Sequence, residues 1–440
     1  MKDFAISDHP GVAAQLARLG ALSVPTGRLG LEIIEGLLAR LGHPERHLPP
    51  VLHVAGTNGK GSTCTYLRFM LEAQGLRVHT ATKPHLVRYN ERIRLAGQLI
   101  SDDHLAALLA EVLDANAAGE DLGPSFFEVT TAAIFLAFAR TPADACVIEV
   151  GLGGRLDATN VIPAPAATAI ATLGIDHEAF LLRPEDGAPA DPLARIAWEK
   201  AGITRPGSPL ITLDYPAQAE EQIAALATQS PLQSPWLRRN RDWFATIAEA
   251  IHYRDAQGSL TLPLPQLAGH HQAENAALAV AILRHQSAVT ISPEAMAQGI
   301  RAARWPARLQ ALRPGPLTAL SPDRAIWLDG GHNPDAGLAI ARHFAQSAPV
   351  HLIIGMLANK DPGAILTPLA GKLRSVSVVP APGHDAHCPA DFAAHTALPV
   401  QPFADVEQAL RALPPEGDVL IAGSLYLAGD VLRRNGEVPD

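Results

Sequence analysis

The segment HVAGTNGKGST, residues 53–63, lies where an apolar run ends and a helical pattern begins, and it combines three glycines with a lysine and three hydroxyl side chains. Backbone N–H groups at a helix N-terminus bind phosphate, and glycines let the backbone come close to it. A lysine neutralises the charge of the β- and γ-phosphates of a nucleotide, and a hydroxyl can ligate Mg²⁺. The segment departs from the usual G-x-x-x-x-G-K-[ST] pattern, since Gly61 separates Lys60 from Ser62. A glycine-rich turn is the alternative, but the lysine and hydroxyls favour a nucleotide site.

A second segment, VIEVGLGGRLDATN, ends another apolar run in a carboxylate. Glu149 stands at the carboxyl end of that run, where a bare carboxylate is costly unless it is paired or bound to a metal. A hard oxygen ligand at a strand tip beside a phosphate loop suits Mg²⁺. The glycines that follow keep space open around Glu149, and Asp157 follows on the loop. An ion pair between Arg155 and Glu149 explains the pattern equally well.

Three further segments place titratable residues at the ends of predicted elements. LGIDHEAF has His177 just after an apolar strand, and IAWEKAGI has Lys200 near the end of a helix. LDGGHNPDA places Asp329 and His332 at a strand tip. Each segment has a structural alternative. His177 could lie in a surface turn, and the charge of Lys200 could complement the helix dipole. The third segment could be a capping turn with Asn333 as N-cap before a proline.

The elements that carry these residues alternate between strand and helix. Strand, glycine turn, helix and strand in succession predict a parallel sheet. The predicted strands cover residues 49–56, 76–82, 144–151, 166–174 and 208–214. The predicted helices cover residues 60–75, 128–140, 191–202 and 273–286.

Basic clusters around a proline, followed by Pro-Gly-Pro, mark a domain boundary within residues 301–316, and the alternation restarts beyond it. We expect a first domain over 1–302, a linker over 303–309 and a smaller α/β domain over 310–440. A ligand shared between the domains would lie at the carboxyl ends of their strands. Residues 181–192 form a Pro/Asp/Gly loop that we expect to be an exposed excursion.

Composition excludes several classes of function. The chain has 440 residues, of which 48% are hydrophobic and 18% charged, so it can build large cores. A net charge of −9 argues against general nucleic-acid binding. The three cysteines form no C-x-x-C pair, so a disulfide framework or zinc site is not expected. We see neither a signal peptide nor a membrane span, and we expect a cytoplasmic protein.

Taken in order, these segments resemble one enzyme family from about residue 26 to the C-terminus. The further motifs TKPHLVRYNERI, SFFEVTT, HHQAENAALA, PARLQ and AGSLYLAGDVL complete the series. The chain resembles the folylpolyglutamate synthase/dihydrofolate synthase family of Mur-type ATP-dependent ligases. The resemblance implies an α/β fold with an N-terminal P-loop ATPase domain built on a parallel sheet and a smaller C-terminal Rossmann-like domain.

The same resemblance implies a reaction. The family joins L-glutamate to dihydropteroate, giving dihydrofolate, and to reduced folates through an acyl phosphate made from ATP. Two Mg²⁺ ions and a carbamylated Lys200 are expected to assist. The expected partners are therefore small molecules (dihydropteroate, reduced folates, L-glutamate and ATP), with no nucleic acid or membrane, and the protein is expected to be a monomer.

The resemblance also implies which residues of this chain form the site, one motif at a time. The ATP site is expected to contain Gly56, Thr57, Asn58, Gly59, Lys60, Gly61, Ser62, Asn275, Arg308, Asp329 and His332. The metal ligands are expected to be Ser62, Glu149 and His177. Catalysis is assigned to Lys60, Lys200, His177 and Arg308. The folate substrate is expected to meet Pro84, His85, Arg92, Phe127 and Asp157.

Within the substrate set, Phe127 would stack on the pterin and Asp157 would pair with its donor edge, while one of Phe126 and Phe127 would pack in the core. The sequence also departs from the family pattern. Lys83 replaces the serine usual in TSPH, and Asn359 replaces a frequent aspartate. These departures affect loop conformation and substrate preference more than the reaction.

Three other functions remain open from the sequence. A monofunctional folylpolyglutamate synthase would use tetrahydrofolate but not dihydropteroate. A Mur ligase acting on a cell-wall nucleotide usually carries an added UDP-binding domain before the phosphate loop. A regulatory P-loop protein would bind nucleotide without releasing phosphate in response to glutamate.

Overall fold

The computed structural model describes residues 7–22, 30–228 and 234–439. Two compact units divide the chain. The first comprises the described parts of 1–83 with 90–266 and 272–303, and the second comprises 84–89, 267–271 and the described residues from 304 onwards. Two short segments that precede residue 303 thus belong to the second unit, and the predicted linker at 303–309 stays a prediction.

The first unit is built on a sheet of eight strands, within the described ranges, in the order β4-β3-β2-β5-β1-β6-β7-β8. All pairs are parallel except β2 with β3 and β3 with β4. These strands are β1 Val51–Ala55, β2 Val78–Ala81, β3 Ile93–Leu95, β4 Gln98–Leu99, β5 Ala145–Glu149, β6 Ala167–Ile170, β7 Leu210–Thr212 and β8 Trp236–Arg238. A separate antiparallel sheet contains β9 Trp243–Ile247, β10 Ile251–Asp255 and β11 Gly258–Leu262. The five predicted strands are confirmed.

Helices surround this sheet, and several begin at side chains suited to capping. Ser125 and Glu128 form a capping box at α5, and Asp191 caps α7 ahead of a proline. The helices before residue 303 are α1 Pro10–Gly20, α2 Glu32–Arg40, α3 Lys60–Ala73, α4 Asp102–Ala117, α5 Phe126–Arg140, α6 Glu178–Leu181, α7 Pro192–Ala201, α8 Ala217–Thr228, α9 His270–Arg284 and α10 Pro293–Ala302. The four predicted helices are confirmed.

The second unit is a smaller α/β sheet, ordered β12-β13-β17-β14-β15-β16, parallel apart from the β12–β13 pair. Its strands are β12 Gln310–Ala311, β13 Ile326–Leu328, β14 Val350–Ile354, β15 Leu373–Val378, β16 Val400–Pro402 and β17 Val419–Ala422. Its helices are α11 Pro334–His343, α12 Gly363–Leu369, α13 Pro389–Ala393, α14 Val406–Ala412 and α15 Leu425–Asn435. Asn333 caps α11 through an N–H donated by Ala336 (3.0 Å), as the capping-turn alternative predicted. The predicted fold class is confirmed.

The first sheet explains why distant segments can meet. Strands β5, β1 and β6 are neighbours and run parallel, with Val54 opposite Glu149 on one side and Ala169 on the other. The chain therefore leaves all three strands at the same edge of the sheet. None of the helices in the described ranges combines the length and apolar character that crossing a membrane requires.

Candidate active site

The loop after β1 is shaped by two glycines and fastened to the neighbouring strand. Gly56 and Gly59 have φ angles of +151° and +81°, which favour glycine, and Gly59 is the N-cap of α3. The N–H of Thr57 donates to the carbonyl of Thr172 (2.7 Å), and its hydroxyl donates to the carbonyl of Gly174 (2.7 Å). The loop thus holds a helix N-terminus, a site suited to anions, at the edge of the sheet.

Two lysines converge on one carbonyl of this loop. Lys60 folds back so that its Nζ donates to the carbonyls of Gly56 (2.8 Å) and Thr57 (3.1 Å). Lys200, at the end of α7, donates from its Nζ to the same Gly56 carbonyl (3.0 Å). Two ammonium groups that share one carbonyl repel each other. The arrangement therefore suits either a bound anion between them or a Lys200 amine that is neutral.

Burial makes the neutral form of Lys200 accessible. The residue is 3% exposed. Burial, together with the Lys60 cation, lowers the pKa of its amine to about 7, although Asp176 and Glu199 oppose the shift. A lysine that only complemented a helix dipole would not need this contact with the phosphate loop.

Both lysines line a pocket at the carboxyl ends of β1 and β5. The backbone N–H of His177 donates to its neighbour Asp176 (2.7 Å), and His177 itself has a φ of +55° at the start of α6. The left-handed conformation is uncommon for a histidine and marks a tightly turned loop. The pocket is lined by Gly56, Thr57, Lys60, Val150, Gly151, Leu152, Gly153, Asp176, His177 and Lys200.

Oxygen ligands for a divalent cation stand at two neighbouring element ends. Glu149 ends β5 and is 4% exposed, and its Oε2 accepts the backbone N–H of Lys83 (2.9 Å). Ser62, also 4% exposed, lies in the first turn of α3. A carboxylate and a hydroxyl fit Mg²⁺, which takes few protein ligands and completes its shell with phosphate oxygens and water. Within the described ranges, no three His, Cys, Asp or Glu side chains cluster to hold an ion unaided.

Asp157 organises the loop after β5. Its Oδ1 accepts from the N–H (3.0 Å) and hydroxyl (2.6 Å) of Thr159, and its Oδ2 accepts from the N–H groups of Gly151 (3.1 Å) and Leu152 (2.8 Å). His53 Nε2 lies 2.8 Å from the Thr159 hydroxyl. Since that hydroxyl donates to Asp157, His53 must be the donor. Burial lowers the pKa of His53 to about 3, consistent with a neutral ring.

This network bears on the prediction for Asp157 and adds His53, which the sequence did not predict. A carboxylate has about four acceptor positions, and the loop supplies four donors to Asp157, so pairing with a pterin would require an exchange of partners. Its substrate role stays a prediction. His53 was not predicted from the sequence. Its only signal was one histidine inside an otherwise apolar strand, and such a residue is more often structural.

Arg155 belongs to a charge network that fastens the excursion at 181–192. Arg155 and Arg195 both contact Glu185 (2.7 Å each), and they contact Glu199 at 2.9 and 3.4 Å. Most of the excursion is exposed, as predicted, but Glu185 is a partly buried anchor point. The network therefore connects the excursion to α7, which carries Lys200.

Helix α9 brings Asn275 against the phosphate loop. A Cβ atom at Gly59 would collide with Asn275 Oδ1, so the side-chain amide occupies the space beside the glycine. Gln272, one turn earlier, accepts a long hydrogen bond from the hydroxyl of Tyr66 on α3 (3.5 Å). The predicted adenine-side segment thus lies beside the N-terminus of α3.

In the second unit, Asp329 connects the tip of β13 to the preceding chain. Its Oδ2 accepts the N–H of Leu309 (2.8 Å), and its Oδ1 accepts the N–H of Gly331 (2.7 Å). Burial raises the pKa of Asp329, and the nearby Arg308 opposes that shift. His332 Nδ1 lies 3.0 Å from the backbone carbonyl of the residue two before it. Arg308, Asp329 and His332 therefore form one local cluster.

The predicted substrate residues fall in both units. Pro84 and His85 belong to the second, where the His85 ring lies 5.5 Å from that of Tyr89. Arg92 belongs to the first, with its guanidinium 5.6 Å from the Phe126 ring centre. Phe126 and its neighbour Phe127 are both only partly buried, so neither packs fully in the core as one of them was expected to.

Folylpolyglutamate and dihydrofolate synthases of other organisms align with most of the chain, although no protein-family model matches it. The folylpolyglutamate synthase of Lacticaseibacillus casei is 34% identical over 419 residues, which cover 90% of this chain and 92% of that protein. The chain belongs to the folylpolyglutamate synthase/dihydrofolate synthase family. The dihydrofolate synthase/folylpolyglutamate synthase of Escherichia coli is 35% identical over 355 residues, covering 80% of this chain and 77% of that protein.

Solved structures of family members have the same fold. The bifunctional enzyme of Yersinia pestis matches with a TM-score of 0.81 at 31% identity, covering 96% of this chain and 97% of that one. Escherichia coli FolC, in complex with DHPP and ADP, matches with a TM-score of 0.82 at 30% identity and the same coverage of both chains. A further bifunctional family member has Mn, AMPPNP and L-glutamate bound, with a TM-score of 0.81. The family resemblance and the Mur ligase-like fold are confirmed.

Proposed function

We propose that this chain is an ATP-dependent ligase that joins L-glutamate to dihydropteroate and to reduced folates. Membership of the family supports the substrate class. The observation that carries the proposal is the meeting of Lys60 and Lys200 at the Gly56 carbonyl, with Glu149 at the adjacent strand tip. The Lys60 ammonium suits a transferred phosphoryl group, and the Glu149 carboxylate suits a divalent cation that would accompany it.

The proposed reaction begins with the folate carboxylate. One of its oxygens attacks the γ-phosphorus of ATP, ADP leaves, and an acyl phosphate forms. The amine of L-glutamate then attacks the acyl carbon and releases inorganic phosphate. The N-terminus of α3 and Lys60 would stabilise the charge that moves between the β- and γ-phosphates. Ser62 and Glu149 would hold a divalent cation, which would screen the phosphoryl oxygens from the attacking anion.

Lys200 is proposed to act as a carbamate. Its amine would attack CO₂ and lose a proton, which converts a repelled cation into a carboxylate-like anion. Burial and the Lys60 cation favour the neutral amine that this step requires. The carbamate, together with Glu149 and His177, would then fit a second divalent cation, whereas the ammonium would not.

The remaining assignments rest on the motifs. Arg308, Asp329 and His332 are proposed to bind ATP, as are the residues of the phosphate loop and Asn275. Phe127, Asp157 and Arg92 are proposed to contact the folate substrate, as are Pro84 and His85. We infer a cytoplasmic monomer, and the unpaired state of Cys64, Cys146 and Cys388 is consistent with a reducing compartment.

Product analysis tests this function. The protein is incubated with ATP, Mg²⁺ and L-glutamate plus either dihydropteroate or tetrahydrofolate, and the products are weighed by mass spectrometry. We expect a glutamate adduct of each substrate and phosphate release that requires all components. Adducts of tetrahydrofolate alone would identify a monofunctional folylpolyglutamate synthase. No adduct with either substrate would contradict the proposal.

A further inference from the structure

Lys83 has an unusual environment for a lysine. It follows β2 and occupies the position where the family pattern has serine. Its Nζ lies 3.8 Å from the ring centre of Phe127. Among the described residues, this buried Nζ finds no hydrogen-bond acceptor. Burial lowers its pKa to about 8; Asp157 and Glu149 raise it and Arg92 lowers it.

The surroundings fix both the lysine and the ring beneath it. The backbone N–H of Lys83 donates to Glu149 Oε2 (2.9 Å), which holds the start of the side chain at the tip of β5. The edge of Phe127 packs on Gly151, where an added Cβ would stand 2.5 Å from Phe127 Cζ. The ring is therefore held by the β5 loop on one side and covered by an ammonium group on a face.

A buried ammonium without an acceptor is costly, because a cation–π contact replaces only part of its hydration. The nearest carboxylates already have partners: Asp157 accepts four hydrogen bonds from its own loop, and Glu149 accepts one from the Lys83 backbone. The donors of Lys83 are thus available for an oxygen that arrives with a ligand.

We propose that Lys83 is a specificity-determining residue that donates hydrogen bonds to a carbonyl or carboxylate oxygen of the pteroyl substrate while it rests on Phe127. This inference rests on the proposed function and deepens it. Since the ammonium covers one face of Phe127, a flat ring cannot stack there unless Lys83 moves. Recognition at this position therefore depends on a charged donor rather than on an open aromatic face.

Steady-state kinetics of Lys83→Met test the proposal. Methionine keeps the apolar stem on Phe127 and removes the donors. We expect the KM for tetrahydrofolate and for dihydropteroate to rise at least about tenfold, as for the loss of a hydrogen bond from a charged group. The KM for ATP should change less than about twofold. Lys83→Arg, which keeps a cation, should recover much of the loss.

Control variants separate recognition from stability. Lys372→Met removes a partly exposed lysine whose Nζ donates to the Ser347 carbonyl (3.2 Å) in the second unit, and it should leave every KM unchanged. If Lys83→Met does not fold, Lys83→Leu, which also lacks donors, provides the same measurement. An unchanged or lower KM for both pteroyl substrates would overturn the inference, as would equal increases for ATP and folate. A wild-type protein without ligase activity would instead overturn the proposed function.

Discussion

The loops after β1 and β5 leave neighbouring parallel strands at one edge of the sheet, yet they are stabilised in different ways. The β1 loop is fastened from outside, through Thr57 to the carbonyls of Thr172 and Gly174. The β5 loop is fastened from within, by the carboxylate of Asp157. The first loop presents a helix N-terminus to the pocket, beside Lys60 and Lys200, whereas in the second loop the Asp157 carboxylate bonds to its own loop.

This difference predicts that substitutions in the β1 loop act mainly on catalysis and those in the β5 loop mainly on stability. The strongest case is Lys60→Ala, which removes a cation proposed to face the β- and γ-phosphates. We expect ligation of both folate substrates to fall about a thousandfold, as for the loss of a key electrostatic group. Thermal unfolding should change little, and near-normal turnover of the folded variant would reject the phosphate-loop interpretation.

Lys200→Ala should have the next largest effect. If the carbamate assists the second cation, the variant should fold and bind ATP but lose about a hundredfold in ligation. A short carboxylic acid added to the assay should restore part of the activity, because it replaces the missing carboxylate-like group. Fully active Lys200→Ala would contradict this role, since a lysine that only complements the helix dipole affects stability by at most about 1 kcal/mol.

Gly59→Ala should weaken ATP binding to an intermediate degree. An alanine at a φ of +81° is strained by about 1–2 kcal/mol, and its Cβ would collide with Asn275. We expect the KM for ATP to rise about tenfold. Gly75→Ala is the matched control, since Gly75 also has a positive φ (+87°) but a Cβ there would meet nothing within 4 Å. Equal kinetics for both variants would show that the Gly59 conformation is unimportant.

Asp157→Ala should act on the fold first. The loss of its four loop hydrogen bonds should destabilise the protein by about 1–3 kcal/mol, measured by chemical unfolding. If Asp157 also pairs with the pterin, dihydropteroate use should fall more than tetrahydrofolate use. Equal losses with both substrates would leave only the structural role.

The smallest effect concerns pH. Since burial lowers the pKa of Lys200 to about 7, the neutral amine that reacts with CO₂ becomes more abundant as pH rises through that value. Activation of CO₂-depleted protein at a fixed concentration of dissolved CO₂ should therefore be several-fold faster at pH 8 than at pH 6. The free energy of unfolding should also rise with pH between about pH 7 and the ordinary pKa of lysine, because the unfolded chain binds more protons there. Activation that is independent of pH would contradict a carbamate at Lys200.

Local patterns were sufficient to predict the sheet and its loops. Apolar runs that end in glycines, such as the one before Gly56, specify strand ends and helix starts within a few residues. The meeting of Lys200 with Gly56 was not predictable from spacing, since 144 residues separate them. It follows from the parallel order of β5, β1 and β6, which only the fold supplies.

Side-chain partners were harder to predict than element positions. Arg155 was an equal candidate for pairing with Glu149, but it contacts Glu185 and Glu199. Those carboxylates lie on the excursion and on α7, and nothing in the sequence indicates that either faces Arg155. The position of Lys83 over the Phe127 ring was also not predictable, because the replacement of the usual serine by lysine does not show where the lysine side chain lies.

The most direct measurement follows the oxygen atoms of the folate carboxylate. Tetrahydrofolate labelled with ¹⁸O in its γ-carboxylate is ligated to L-glutamate with ATP. The ¹⁸O content of the released nucleotides and phosphate is then measured by mass spectrometry. An acyl phosphate that forms over the Lys60 loop transfers one labelled oxygen to inorganic phosphate, with ADP as the other product. Label in AMP, or unlabelled phosphate in a reaction that yields the glutamate adduct, would contradict phosphoryl transfer to the carboxylate.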